Sequence, residues 1–212
     1  IIALPDIHNQ AKRIARIGPQ LAEADLVLLP GDLTNSGEVA DATNLLDMVK
    51  AHCPQVLAVT GNWDSDAIEA YMTEQGINLH VTWRKVGDLN FVGLGGALPF
   101  LGRLEYSEAD YERFTAQIAE TLKKPLVLVS HQPPFNTRND RTARGAHVGS
   151  RAIRAFIEEH QPLACFTGHI HEAIGVDTIG KTKIINPGRR AYAHIEISAN
   201  SVDSIAIIDP NT

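Results

Sequence analysis

Seven side chains in this sequence could hold metal ions, and they come in five short groups. Asp6 and His8 follow the apolar run Ile1–Leu4, and Gly31-Asp32 follows Leu26–Leu29 through Pro30. Gly61-Asn62-Trp63-Asp64 follows Val56–Val59, Ser130-His131 with Pro133-Pro134 follows Leu126–Val129, and Gly168-His169-Ile170-His171 follows Leu163–Phe166. Asp6, His8, Asp32, Asn62, His131, His169 and His171 pool two carboxylates, one amide and four imidazoles. Oxygen and nitrogen donors without thiolate suit Mn, Fe, Zn or Ni better than Ca or a soft-metal cluster. Seven ligands exceed one tetrahedral site. They fit two adjacent cations sharing a carboxylate, a device used for displacement at phosphorus. Each group alone has an ordinary explanation: Gly-Asp is common turn chemistry, and an Asp after a strand is often a turn former or cap. Asp64 is expected to cap the helix that follows at 65–75. The conjunction of five polar groups at five strand ends is what points to a site.

Those groups need a frame. The five apolar runs are too short for helices and carry β-branched residues, so they read as buried strands. Helical spacing of apolar residues recurs between them: Val39, Ala42, Leu45, Leu46 and Val49 in 38–50, then Ile153, Phe156 and Ile157 in 151–160. A third segment, 107–121, opens on Ser107 as N-cap and aligns Tyr111, Phe114 and Ile118. Strand and helix in alternation predict a mostly parallel, helix-covered sheet, with all five groups at its carboxyl edge, where open α/β sheets bind ligands. Gly31, Gly61 and Gly168 stand directly before Asp32, Asn62 and His169, where a residue without Cβ permits a sharp exit from the strand. Later segments read as antiparallel. Gly87-Asp88 turns a hairpin within 86–92, Gly180-Lys181 another within 174–185, and 192–208 alternates around Ala199-Asn200-Ser201. A second, more antiparallel sheet follows from this, and two sheets with helices outside make an α/β sandwich.

At 212 residues and 44% hydrophobic, the chain can bury a sizeable core. With no repeat or Gly/Ser linker it reads as one domain over 1–212. Nineteen Lys and Arg against 25 Asp and Glu leave a net charge of −6, which argues against a nucleic-acid-coating surface. Cys53 and Cys165 stand too far apart for a disulfide framework or thiolate zinc site, and they favour a reducing cytoplasm. No apolar run approaches the roughly 20 residues of a membrane span, so no membrane partner is expected. Four of the nine histidines, His52, His80, His160 and His194, lack motif context and read as surface or half-buried structural residues.

In chain order, Asp-x-His, Gly-Asp, Gly-Asn-x-Asp, Ser-His-x-Pro-Pro and Gly-His-x-His resemble the motifs of the calcineurin-like metallophosphoesterase superfamily, from Asp6 to about Gly188. The stretch from His147-Val148-Gly149-Ser150 through Glu172 to Asn186-Pro187-Gly188 is similar to its compact single-domain archaeal and bacterial members. The resemblance implies a four-layer αββα sandwich of two mixed sheets, with metals at the strand carboxyl ends. It implies two divalent ions, manganese first and iron, zinc or nickel as the others. Asp6, His8 and His171 would hold one ion, Asn62, His131 and His169 the second, and Asp32 would bridge. Phosphate esters would be hydrolysed by in-line attack of a metal-bridging hydroxide, with Asp32, Asn62 and His131 as the catalytic residues.

One position departs from the pattern. The family's third motif usually reads Gly-Asn-His, and its histidine assists the leaving group or a phosphoryl oxygen. Trp63 stands there and cannot donate a proton at a useful pKa. Some phosphodiesterases of the family lack that histidine too, so a phosphodiesterase is expected ahead of a general monoesterase. A non-catalytic metal-binding scaffold and a nuclease are the alternatives. The long loop 135–149 offers Arg138, Arg141, Arg144 and His147 as substrate contacts, since Arg suits phosphate recognition, and the competing reading is a solvated loop. Arg189-Arg190 would add charge near the same rim. The expected partner is a small phosphate ester.

Overall fold

The computed structural model describes residues 1–211. In chain order its strands are β1 (Ile2–Ala3), β2 (Val27–Pro30), β3 (Val56–Val59), β4 (Trp83–Val86), β5 (Leu89–Leu94), β6 (Leu126–Ser130), β7 (Ala164–Thr167), β8 (Gly175–Ile179), β9 (Thr182–Asn186), β10 (Tyr192–Ile197) and β11 (Val202–Ile208). Its helices are α1 (Ala11–Arg16), α2 (Gly18–Ala22), α3 (Val39–Lys50), α4 (Asp66–Glu74), α5 (Glu108–Thr121) and α6 (Arg151–His160). Two mixed sheets form, ordered β11-β10-β1-β2-β3 and β4-β5-β6-β7-β9-β8. In the first, β1, β2 and β3 are parallel and the β10–β11 hairpin joins β1 antiparallel. In the second, β5, β6, β7 and β9 are parallel, while β4 and β8 close the two edges antiparallel.

Alternation along the strands explains the layering, because successive side chains of a strand point to opposite faces. On β2, Val27 and Leu29 pack with Ile14, Leu21, Leu46 and Ile68 of the helices, while Leu28 packs with Val127, Val129 and Phe166 of the other sheet. On β6, Leu126 and Leu128 turn instead to Phe114, Ile118, Ile153 and Ile157 of α5 and α6. Three apolar layers therefore separate four structural ones: α1–α4, the two sheets, then α5 and α6. Ser107 caps α5 as expected, its Oγ accepting from Asp110 N, with the Asp110 carboxylate returning the bond to Ser107 N.

The structure corrects the sheet assignment. The five motif-bearing strands do not share one parallel sheet: β1–β3 lie in the first, and β6 and β7 in the second. Local pattern shows that a segment is a buried strand but not which strand it pairs with. The antiparallel hairpins likewise divide between both sheets rather than forming one of their own. The short helices α1 and α2 also went unread, although they bury Ile14 and Leu21 with Ile17 between them. No helix among the described residues is long and apolar enough to cross a membrane, and Cys53 and Cys165 are buried and unpaired.

Candidate metal centre

Stacking brings the carboxyl ends of β1, β2, β3, β6 and β7 to one end of the sandwich, and the backbone there bends hard. Asp6, His8, Asp32 and His169 take φ of 52°, 50°, 52° and 67°. Left-handed backbone costs a non-glycine residue about 1–2 kcal/mol, and such residues concentrate at functional sites. The motif glycines serve mainly by leaving space. A Cβ on Gly61 would lie 2.1 Å from Asp32 Oδ1, one on Gly31 2.4 Å from His131 Nδ1, and one on Gly168 2.9 Å from Asp6 Oδ2. Of the three only Gly31, at φ +85°, also needs the left-handed conformation.

All seven candidate ligands converge. At one pole, Asp6, His8, Asp32 and His171 each offer a ligand atom within 4.8 Å of the others. There the Nε2 atoms of His8 and His171 face each other at 3.1 Å, and His171 Nε2 lies 3.4 Å from Asp6 Oδ1. At the other pole, His131 Nε2 is 3.1 Å from Asn62 Oδ1, and the rings of His131 and His169 have centroids 5.1 Å apart. Asp32 joins the poles through one atom: its Oδ2 is 3.5 Å from His8 Nε2 and 3.4 Å from His131 Nε2.

Outer contacts aim the imidazoles. His131 Nδ1 donates to the Pro30 carbonyl (2.9 Å), and His8 Nδ1 donates to Asn35 Oδ1 (2.6 Å), whose Nδ2 in turn donates to the His8 carbonyl. Both Nε2 atoms are thereby directed inward, where they could ligate a metal. Asp6 Oδ2 is fully buried with no hydrogen-bond partner, an arrangement that costs free energy unless a cation completes it. An all-oxygen-and-nitrogen donor set around such an atom fits divalent transition metals.

The electrostatics agree. Burial would lower the pKa of His131, yet the adjacent Asp32 and Asp6 carboxylates push it up to about 9. The same negative field that holds a proton there would hold a cation. Burial lowers His169 to about 4, with His131 adding to the shift, so its ring is neutral and free to ligate. Burial opposes ionisation of Asp6, but its bond with His171 and the surrounding imidazoles bring it down to about 2.

Asp64 does not cap a helix. Ser65 is the N-cap of α4, its Oγ accepting from Ile68 N. Asp64 is instead buried and accepts from Leu33 N, Thr34 N, Thr34 Oγ1 and Gly61 N. It ties the loop carrying Asp32 to the loop carrying Asn62. Burial and the neighbouring Asp32 raise it to about 6 against those bonds. Asn35 and Arg13 were also missed. Arg13 Nη1 donates to the carbonyls of Pro5 and Asp6, bracing the first motif from behind. An Arg on a short helix carries no sequence signal for that role, whereas Asp64, two residues beyond Asn62, could have been read as a brace.

The loop 135–149 carries internal hydrogen bonding of its own. It contains a 3₁₀ turn, Arg138–Asp140, and an Arg141–His147 bridge. Buried Asp140 accepts from Asn136 N, Thr137 N and Gly149 N and binds His147 Nδ1 at 2.7 Å. Arg138, Arg141 and Arg144 are exposed. The loop is fastened beside the centre, with Ala143 N donating to Glu172 and Gln132 Nε2 donating to the Val148 carbonyl. Arg189 and Arg190 are exposed after Gly188. Of the histidines without motif, His80 is half-buried, accepting from Gly95 N and stacking on Tyr106, and burial lowers it to about 4.

A buried cluster of carboxylates and imidazoles at the strand ends of a two-sheet α/β sandwich defines a class of metal-dependent phosphoesterases, and comparison with known proteins supports the same class. A family profile described as calcineurin-like phosphoesterase matches residues 1–173, and the chain belongs to that family. The uncharacterized protein MJ1162 of Methanocaldococcus jannaschii is 31% identical over 208 residues, which cover 95% of this chain and 94% of that protein. The UPF0046 protein K07C11.7 of Caenorhabditis elegans is 24% identical over 88% of this chain and 68% of its own length. The crystal structure of TT1561 of Thermus thermophilus superposes with a TM-score of 0.74 at 18% identity, covering 99% of this chain and 97% of that one. Phosphopantetheinyl hydrolase of Mycobacterium tuberculosis gives 0.58 at 15%, covering 88% of each chain. At these identities the two structures show a shared fold.

Proposed function

We propose that this chain, read as one domain over 1–212, is a two-metal phosphodiesterase. The observation that carries the reading is Asp32 Oδ2, equidistant within 0.1 Å from an imidazole nitrogen at either pole, 3.5 Å and 3.4 Å away. Asp6, His8 and His171 would hold one divalent ion, Asn62, His131 and His169 the other, and Asp32 both. Two such ions lower the pKa of bound water and offset the charge of phosphoryl oxygens. The chain's own part is positioning. Asp64 fixes the Asp32 and Asn62 loops against each other, so the ligand geometry is set before substrate arrives. His131 and His8, each with Nδ1 committed outward, present one defined nitrogen. Arg138, Arg141 and Arg144, exposed on the loop 135–149, would meet an anionic substrate. Trp63, in place of a proton donor, supports diesters with good leaving groups over monoesters. Manganese is the first candidate metal, and the two unpaired buried cysteines support a reducing cytoplasm.

The test is a metal-reconstituted screen across phosphomonoesters, linear diesters and cyclic nucleotides, run on the native chain and on Asp32→Ala. We expect diester hydrolysis that Asp32→Ala abolishes. Metal binding without turnover of any phosphate ester would make the chain a scaffold of the same fold, and preferential cleavage of oligonucleotides would make it a nuclease.

A further inference from the structure

Trp63 is set apart from its motif. Asn62 and Asp64 on either side are buried, while Trp63 is 39% exposed. Its peptide is nevertheless pinned at both ends: its N–H donates to Asp32 Oδ1 (2.9 Å) and its carbonyl accepts from Arg103 Nη1 (2.8 Å). The backbone thus fixes the point from which this exposed indole projects, at the edge of the candidate metal centre.

Phe100 is held to the same motif. It lies in the segment between β5 and α5 and is 82% exposed. That segment docks on Asn62 through its backbone: Arg103 N donates to the Asn62 carbonyl (2.6 Å), and the Leu101 carbonyl accepts from Asn62 Nδ2. Gly102 permits the contact, since a Cβ there would lie 2.6 Å from the Asn62 oxygen. Among the Phe, Trp and Tyr side chains of the described residues, Trp63 and Phe100 are the only exposed ones; Trp63 follows Asn62 in the chain, and Phe100 precedes the segment whose backbone docks on it. The other aromatics are buried or half-buried, whereas these two stand exposed beside the segment that carries Asn62. Apolar groups exposed at the rim of a polar site mark where a ligand sits. Flat rings with few rotatable bonds favour another flat ring, since stacking adds to area burial.

We propose that Trp63 and Phe100 form an aromatic platform that receives a planar aromatic ester group of the substrate. The proposal rests on the phosphodiesterase reading for its setting and names a substrate class for it: phosphodiesters with at least one planar aromatic substituent. Binding and turnover test it separately. In a Trp83→Phe background, Trp63 is the sole tryptophan and reports binding directly. The protein is loaded with Zn²⁺, which does not quench fluorescence, and titrated with phenyl phosphate and with cyclohexyl phosphate. We expect phenyl phosphate to change Trp63 emission and bind about tenfold tighter than cyclohexyl phosphate, as stacking of one ring allows. Phe100→Ala should shrink that ratio. In turnover, the ratio of kcat/KM for benzyl over cyclohexylmethyl hexafluoroisopropyl phosphate, whose shared leaving group carries no ring, should be about tenfold and fall in both Trp63→Ala and Phe100→Ala. Equal affinity for the two phosphates, or a ratio that neither variant changes, overturns the platform. If the ring preference in binding persists while no diester is hydrolysed, the platform stands and the phosphodiesterase reading fails. Diester hydrolysis without ring preference upholds the phosphodiesterase reading and removes the platform.

Discussion

The candidate metal centre and the loop 135–149 sit side by side, and both concentrate chemistry-bearing residues, yet they are built differently. In the candidate centre five of the seven candidate ligands, Asp6, His8, Asp32, Asn62 and His131, are themselves buried, and Gly168, Gly61 and Gly31 leave room for Asp6, Asp32 and His131. In the loop the arginines are exposed, and order comes from a different residue, Asp140, which gathers three backbone N–H groups beneath them. Residues launched from strand ends inherit their aim from the sheets. Residues on a long loop must be aimed by a dedicated brace, and the brace holds the backbone rather than the arginine side chains. Charge on such a loop suits attraction and affinity, while fixed geometry belongs to the centre.

Adding one methyl group to each region separates them most sharply. Gly61→Ala places its Cβ 2.1 Å from Asp32 Oδ1, so the carboxylate must move. We expect metal affinity to fall about 100-fold, the scale for displaced metal surroundings, read by elemental analysis after dialysis. Gly145→Ala meets nothing nearer than Arg141 Nη2 at 3.6 Å and strains only its φ of +84°. It should cost about 1 kcal/mol in thermal denaturation and leave the metals in place. Equal metal loss in both variants would erase the distinction.

The two carboxylate braces give the next contrast. Asp64→Asn turns an amide N–H toward backbone donors, for about 1–3 kcal/mol of stability, and should lower kcat about tenfold by loosening Asp32 against Asn62. Asp140→Asn should instead raise KM for anionic substrates, with metal content unchanged. A kcat effect in Asp140→Asn as large as in Asp64→Asn would show the loop to be part of the reacting geometry. The arginines should affect binding alone. Replacing Arg138, Arg141 and Arg144 by Ala should raise KM about tenfold, the worth of one direct charge-assisted contact of about 1.5 kcal/mol. An unchanged KM would leave the loop without a role in binding.

Most of the candidate site was readable from residue order, because each ligand directly follows an apolar run and strand ends carry their own signal. What failed was partnership. Nothing local in Leu126–Val129 says that it joins a different sheet from Val56–Val59, since pairing depends on segments far away in the chain. Asp64 failed for a related reason: the adjacent Ser65 takes the cap, and the groups that need Asp64, Leu33 and Thr34, lie about 30 residues earlier. Asp140 was overlooked beside three arginines whose chemistry was more conspicuous. The three motif glycines were correctly singled out, although for two of them the need is space rather than a turn.

In the proposed two-metal centre, Asp32 joins two cation sites through a single carboxylate. Anomalous diffraction from a crystal soaked in Mn²⁺ tests it directly. Two peaks about 3.5–4 Å apart are expected, one beside Asp6, His8 and His171, the other beside Asn62, His131 and His169, with Asp32 Oδ2 reaching both. A single peak, or two peaks of which only one is bound by Asp32, would contradict it.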